Sequence, residues 1–167
     1  MKLAVSALAI AAALALQTTL TTFVRGTATL DFVLIVVVYL ALTSGPTTGL
    51  VVGGIAGLIQ DSLSSGIMGV GGLAKTLVGY LAGRLGTQFI VTAPLPRFLV
   101  FIAATVVHAT VFMGLYVLLG LREFPSPYTS VGWQAVGNAF VGVVGFQVLE
   151  WLPGFRARRR WRRTARR

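Results

Sequence analysis

Residues 3–24 carry no charged side chain. About 22 apolar residues in a row are enough to cross a hydrocarbon core of roughly 30 Å. A cleaved leader is the competing reading, with Lys2 as a short basic start and Ala13-Leu14-Ala15 as a small-residue cleavage site. The run continues past Ala15 to Val24, which favours a retained helix. The rest of the chain repeats the pattern: hydrophobic residues make up 56% and charged ones 11%. Soluble domains average roughly 25% charged, so this chain lacks the polar surface to cover a water-soluble globule. At 167 residues it is expected to form one domain.

Charge sits at the end. Of fourteen Lys and Arg residues, eight lie between Arg156 and Arg167, and the net charge of +10 therefore describes a tail. Upstream, six basic residues face four acidic ones. A basic chain invites a nucleic-acid reading, but arginines that directly follow an apolar segment suit an anionic membrane surface better. Arg156, Arg158, Arg159, Arg160, Arg162 and Arg163, with Trp161, are the candidate lipid contacts, and Trp151 belongs to the same interfacial anchor. The sequence has no cysteine, which excludes disulfides and thiolate metal sites.

The second apolar run, residues 30–60, is too long for one ordinary span and has Gly45-Pro46 at its middle. Proline removes a backbone donor and clashes with the preceding turn. Two short helices are expected, 30–43 and 46–60, each rising only about 21–24 Å. Residues 61–72 (DSLSSGIMGVGG) read as a polar, glycine-rich loop. A fourth helix is expected over 71–85, then a connector with Pro94 and Pro96, a fifth helix over 98–121, a loop with Pro125 and Pro127, and a sixth helix over 131–152 stopped by Pro153-Gly154. The expected class is all-α: six transmembrane helices in residues 1–154 and a basic tail over 155–167. Basic residues mark the cytoplasmic side. That puts the tail and the connector around Arg84 and Arg97 inside. Charge alone does not place Lys2 and Arg25, which swap sides between five helices and six. The length of the second run favours six, with Lys2 inside. Arg25, Asp61 and Arg122-Glu123 then fall outside.

Gly45, Gly49, Gly53 and Gly57 recur every four residues, and Gly79 and Gly83 repeat the spacing. Small residues in register let helices approach closely in lipid. Close packing within the chain is the plain reading, and a groove for a partner's helix is the sharper one. Lys75 stands inside an apolar helix, where a Lys costs roughly 2.5–3.5 kcal/mol. It needs a partner, and Asp61, on the same side of the membrane, is the expected one. His108 reads as a hydrogen-bonded packing residue, because no other titratable group is evident at its depth. Asn138 and Gln147 read as interhelical hydrogen-bond formers, and Glu150 as a partner of the tail. No metal-ligand cluster, activated nucleophile or P-loop is present, and the glycines of 69–72 follow no strand, so neither an enzyme nor a cofactor is expected.

Several features occur together in a characteristic order. Asp31-Phe32 opens an apolar helix containing Val38-Tyr39-Leu40-Ala41-Leu42, followed by Gly45-Pro46. Then come Gly57-Leu58-Ile59-Gln60-Asp61 and Gly69-x-x-Gly72-Leu73-x-Lys75-x-x-x-Gly79-Tyr80-Leu81. This order resembles the bacterial rod shape-determining protein MreD family. The resemblance covers nearly the whole chain in helix order, and its specific part is residues 30–84. It implies a fold similar to the six-helix substrate-binding subunits of energy-coupling-factor transporters. It implies a non-enzymatic inner-membrane subunit of the cell-elongation complex. Such a subunit would bind the single-span protein MreC and so link the MreB cytoskeleton to peptidoglycan synthesis by RodA and a class B penicillin-binding protein. Asp61, Gly69, Gly72, Lys75 and Tyr80 would be signature positions. Of these, Asp61, Lys75 and Tyr80, with the glycines Gly45, Gly49, Gly53, Gly57 and Gly79, form the expected partner-binding set. The tail is longer than the resemblance leads one to expect. The alternatives are a small-molecule-binding transporter subunit, for which the outer loops carry little aromatic content, and a membrane enzyme, for which no chemistry is visible.

Overall fold

The computed structural model describes residues 2–23, 30–64, 66–89, 93–121, 124 and 128–151. Among them are six helices and no strand: α1 (Lys2–Phe23), α2 (Phe32–Ser44), α3 (Pro46–Leu63), α4 (Val70–Gln88), α5 (Pro94–Leu118) and α6 (Tyr128–Trp151). The expectations for Arg25, for Arg122-Glu123, and for Arg156, Arg158, Arg159, Arg160, Trp161, Arg162 and Arg163 lie outside the described residues. Of the six helices, α5 is long and apolar enough to cross a membrane by length and composition, and α2 and residues 4–20 of α1 are shorter apolar helices.

The central element is α2, which touches each of the other five helices. It is apolar on every side, and Val33, Leu34, Val37, Val38 and Ala41 are all buried. Its many β-branched residues are weak helix formers in water. Here burial on all sides outweighs that preference. The helix begins on Asp31, whose Oδ1 accepts from Leu34 N at 2.8 Å. It ends at Gly45, in the left-handed half of backbone space at φ 97°. Pro46 follows as the first residue of α3, a position where its missing N–H costs nothing. The expected break at Gly45-Pro46 is therefore a corner between two helices.

The helices α3 and α4 run antiparallel and meet backbone to backbone. A Cβ added at Gly49 would collide with the carbonyl oxygen of Gly79, one at Gly53 with that of Lys75, and one at Gly57 with Cα of Gly72 at 2.6 Å. Gly83 packs in the same way on Pro46, and Gly86 on Leu42. The glycine ridge is thus consumed inside the chain. Gly49, Gly53, Gly57 and Gly79 face one another across α3 and α4, and no space is left there for the helix of another protein. This corrects the docking reading of the ridge: helices that close can accept no third helix between them.

The boundaries of α5 differ most from expectation. Pro94 and Pro96, read as connector, lie in its first turn, where proline is tolerated. At the other end Gly120, at φ 66°, closes the helix with Leu121 N donating to Tyr116 O at 3.0 Å. The helices α5 and α6 pair with each other, and among the described residues α1 lies at the edge against α2 and α3 only.

Gly53→Ala is expected to lower the stability of the purified protein in detergent by about 1–3 kcal/mol through overpacking. Gly114→Ala, at a helical glycine with nothing within 4 Å, is expected to be neutral or to stabilise by up to ~1 kcal/mol. Thermal unfolding of the two variants side by side checks both.

Candidate functional site

Lys75 lies in the second turn of α4 and is 3% exposed. A helical lysine there reaches back toward the start of its helix and across to whatever packs on it. Its Nζ meets Asp31 Oδ2 at 2.8 Å and His108 Nε2 at 3.1 Å. Asp31 and His108 are themselves buried. An ammonium can only donate, so Nε2 of His108 accepts and the ring proton lies on Nδ1. The pair expected between Asp61 and Lys75 is replaced by this arrangement. His108 is not alone at its depth either, because α2 and α4 bring a carboxylate and an ammonium to it.

The network extends through the backbone of α2. The first N–H groups of a helix have no partner within it, and here the helix starts inside the bundle. Asp31 N donates to Asn138 Oδ1 on α6 at 3.0 Å, and Phe32 N donates to Gln17 Oε1 on α1 at 2.9 Å. Asn138 Nδ2 in turn donates to Thr105 Oγ1 on α5 at 3.2 Å, and Thr105 Oγ1 donates to Phe101 O at 2.9 Å. One short helix start is thus hydrogen-bonded by side chains from two other helices, and its capping carboxylate binds a lysine from a third. Asn138 takes the interhelical role read from the sequence. Gln147 is exposed on α6.

Asp61 does different work. Its Oδ2 accepts from Gly69 N at 2.9 Å and Gly72 N at 3.0 Å, and its Oδ1 lies where a Cβ on Gly71 would stand. It therefore caps the first turn of α4, and its negative charge faces the positive end of that helix. Gly69, at φ 100°, supplies the left-handed turn that brings the chain round to it. Asp61 and the glycines at 69, 71 and 72 form one capping unit, in which each glycine has a steric or conformational reason.

A second buried charge lies toward the other end of the bundle. Arg97 is 1% exposed and holds Glu150 through two hydrogen bonds, Nη1–Oε2 at 2.9 Å and Nη2–Oε1 at 2.6 Å. Its guanidinium lies 4.5 Å from the ring centre of Phe146. Glu150, expected to pair with the tail, is thus engaged by α5. Tyr80 is exposed on α4 beside Leu77 and Leu81. The expected partner-binding set therefore separates: Gly45 turns a corner, Gly49, Gly53, Gly57 and Gly79 form an internal seam, Asp61 caps, Lys75 is buried in an ion pair, and Tyr80 faces outward.

The family model for rod shape-determining protein MreD matches residues 2–150. The chain belongs to the MreD family. Comparison with curated proteins and with solved structures gives no match. MreD proteins form a structural, shape-determining family, and membership gives this chain a role in determining rod shape. The bundle fits a membrane protein, as the family suggests. The site suits a structural role, since its charges neutralise one another and its donors are absorbed by helix packing. Among the described residues, no group of three His, Cys, Asp or Glu side chains could hold a metal ion.

Sequence reasoning missed Asp31 as the partner of Lys75, and missed Arg97, Gln17 and Thr105. The signal for Asp31 was present, because a carboxylate at the start of an apolar run must either cap or pair. Removing one partner of a buried pair costs about 3–5 kcal/mol, since the other charge is left uncompensated. Lys75→Met and Asp31→Asn are each expected to destabilise strongly. The double variant should recover about 1–3 kcal/mol relative to the sum. In the same unfolding assay, Lys75→Met and Asp61→Asn should show the smaller coupling.

Proposed function

We propose that this protein is an integral inner-membrane subunit of the cell-elongation complex of a rod-shaped bacterium. It crosses the membrane six times with both termini in the cytoplasm, and holds a single-span partner of the MreC type. Through that partner it connects the MreB cytoskeleton to peptidoglycan synthesis by RodA and a class B penicillin-binding protein. The observation that carries this reading is the family match over residues 2–150. The geometry supports it in kind. A bundle cross-tied by buried hydrogen bonds and a backbone-to-backbone seam offers a fixed surface on which another helix can rest. Its fold is proposed to resemble that of the substrate-binding subunits of energy-coupling-factor transporters.

Of the residues expected to meet a partner, Tyr80 is the exposed one, on a face of α4 that also presents Leu73, Leu77 and Leu81. This face is proposed as the dock. The arginine tail, from Arg156 onward, is proposed to rest on anionic lipid at the cytoplasmic surface, at about 1 kcal/mol per basic residue.

Purification of the tagged protein from its native membrane tests the reading. An MreC-like single-span protein is expected to co-purify in stoichiometric amount. Tyr80→Ala together with Leu77→Ala should reduce its recovery about tenfold or more, as loss of a central aromatic contact of ~2 kcal/mol would, while leaving thermal unfolding unchanged. Co-purification of ATPase subunits or a bound small molecule would instead establish a transporter subunit.

A further inference from the structure

The helices around α2 form a ring that is open in one place. The helix α1 meets α3, α3 meets α4, α4 meets α5 and α5 meets α6, whereas among the described residues α6 and α1 do not meet. Both pack on α2, which therefore floors the opening. The burial pattern of α2 agrees. Between Phe32 and Ala41 every residue is buried except Phe32, Val36 and Tyr39, which are half-buried, and Thr43 continues the same stripe. Phe32 packs partly against the apolar core on the α1 side and partly against that on the α6 side. Tyr39 stands edge-on to Phe146 of α6 with ring centres 4.5 Å apart. Helical spacing sets Val141 and Gly145 beside Asn138 on α6, away from Glu150, which faces α5. A Cβ on Gly145 would meet nothing within 4 Å, so this wall of the slot leaves room beside it.

The slot has a direction. The helix α6 runs parallel to α2, since Asn138 meets Asp31 and Phe146 meets Tyr39. The helix α1 runs antiparallel to it, since Gln17 meets Phe32 while Leu14 packs with Val33 and Val37. The Thr43 end of the slot is therefore the end where α1 begins at Lys2 and α6 stops at Trp151. From Trp151 the chain continues over residues 152–167, of which eight are arginine and none is acidic. Nearby, Arg97 and Glu150 neutralise each other. The charge that marks this mouth of the slot is thus the cationic chain that leaves α6.

An apolar slot with a cationic mouth suits a molecule with an apolar chain and an anionic head. A helix with its side chains is about 10–12 Å across, and a floor that its own walls leave half-buried has no room for that width. An acyl chain is thinner. Guanidinium groups bind phosphate oxygens through paired, charge-assisted hydrogen bonds. We propose that the slot between α1 and α6 holds an acyl chain of an anionic phospholipid, with the phosphate bound by the arginines that follow Trp151. The inference rests on the membrane orientation proposed above, with the tail at the cytoplasmic surface. It turns the tail's contact with lipid into a site for a single bound molecule, whose chain closes the ring around α2.

Native mass spectrometry of the full chain, released from nanodiscs of equal parts phosphatidylcholine and phosphatidylglycerol, tests the proposal. The unsubstituted protein is expected to retain a single phosphatidylglycerol in preference to phosphatidylcholine. Gly145→Phe, which places a ring in the open space of the slot, should lose the bound lipid. Val144→Phe, next to it on the exposed face of α6, should keep it. Replacing Arg156, Arg158, Arg159 and Arg160 by Gln should abolish the preference for phosphatidylglycerol. Release of the unsubstituted protein without lipid, or with both lipids equally, would overturn the proposal whether or not the variants fold. Equal retention by Gly145→Phe and Val144→Phe would overturn it too. So would loss of a co-purifying single-span protein from Gly145→Phe in native membranes with lipid still retained, because the slot would then hold a helix. Recovery of ATPase subunits in place of an MreC-like protein would end the elongation-complex reading and leave the lipid result standing.

Discussion

A lysine cannot sit unpaired within an apolar bundle, and the position of Lys75 governs much of what surrounds it. Its ammonium lies between Asp31 and His108, and this places the start of α2 against α4 and α5. Because Asp31 also caps α2, the same carboxylate serves the ion pair and the helix start. Asn138 and Gln17 then complete the hydrogen bonding of that start from α6 and α1. A helix that begins inside a bundle needs partners for its first N–H groups, and here those partners fix which helices surround it.

The second constraint is steric. Glycines at 49, 53 and 57 bring α3 against the backbone of α4, so Lys75 enters the core from a helix that cannot be displaced sideways. Polar contacts set direction and glycines set distance. Together they give a bundle whose internal arrangement does not depend on hydrophobic force, which suits a membrane setting. The cap formed by Asp61 on Gly69 and Gly72 is a local version of the same solution, since it satisfies the orphan donors of α4 with an internal carboxylate.

The helices were legible in the sequence because uncharged runs and Gly-Pro punctuation are strong local signals. Gly45-Pro46 marked the corner between α2 and α3, and the period-four glycines marked a close helix contact. Pro94 and Pro96 misled, because proline reads as a breaker although the first turn of a helix accepts it. Pairing was harder to read. Asp61 is nearer to Lys75 in sequence than Asp31 is, but Asp61 is turned onto the glycine N–H groups of its own loop. Asp31 reaches Lys75 only once the bundle is assembled. Arg97 and Glu150 are 53 residues apart, and nothing local links them. The resemblance to MreD, by contrast, rested on the order of motifs along the chain and needed no knowledge of contacts.

The central claim is that Lys75 is held by Asp31. With ¹⁵N-labelled lysine and ¹³C-labelled aspartate, solid-state NMR on the protein in lipid bilayers reads the dipolar coupling between Lys75 Nζ and an aspartate carboxyl carbon. The sequence has only two lysines and two aspartates, so the signals can be assigned by substitution. The account predicts a strong coupling that persists in Asp61→Asn and disappears in Asp31→Asn. A coupling that is absent, or that disappears in Asp61→Asn and survives in Asp31→Asn, would contradict it.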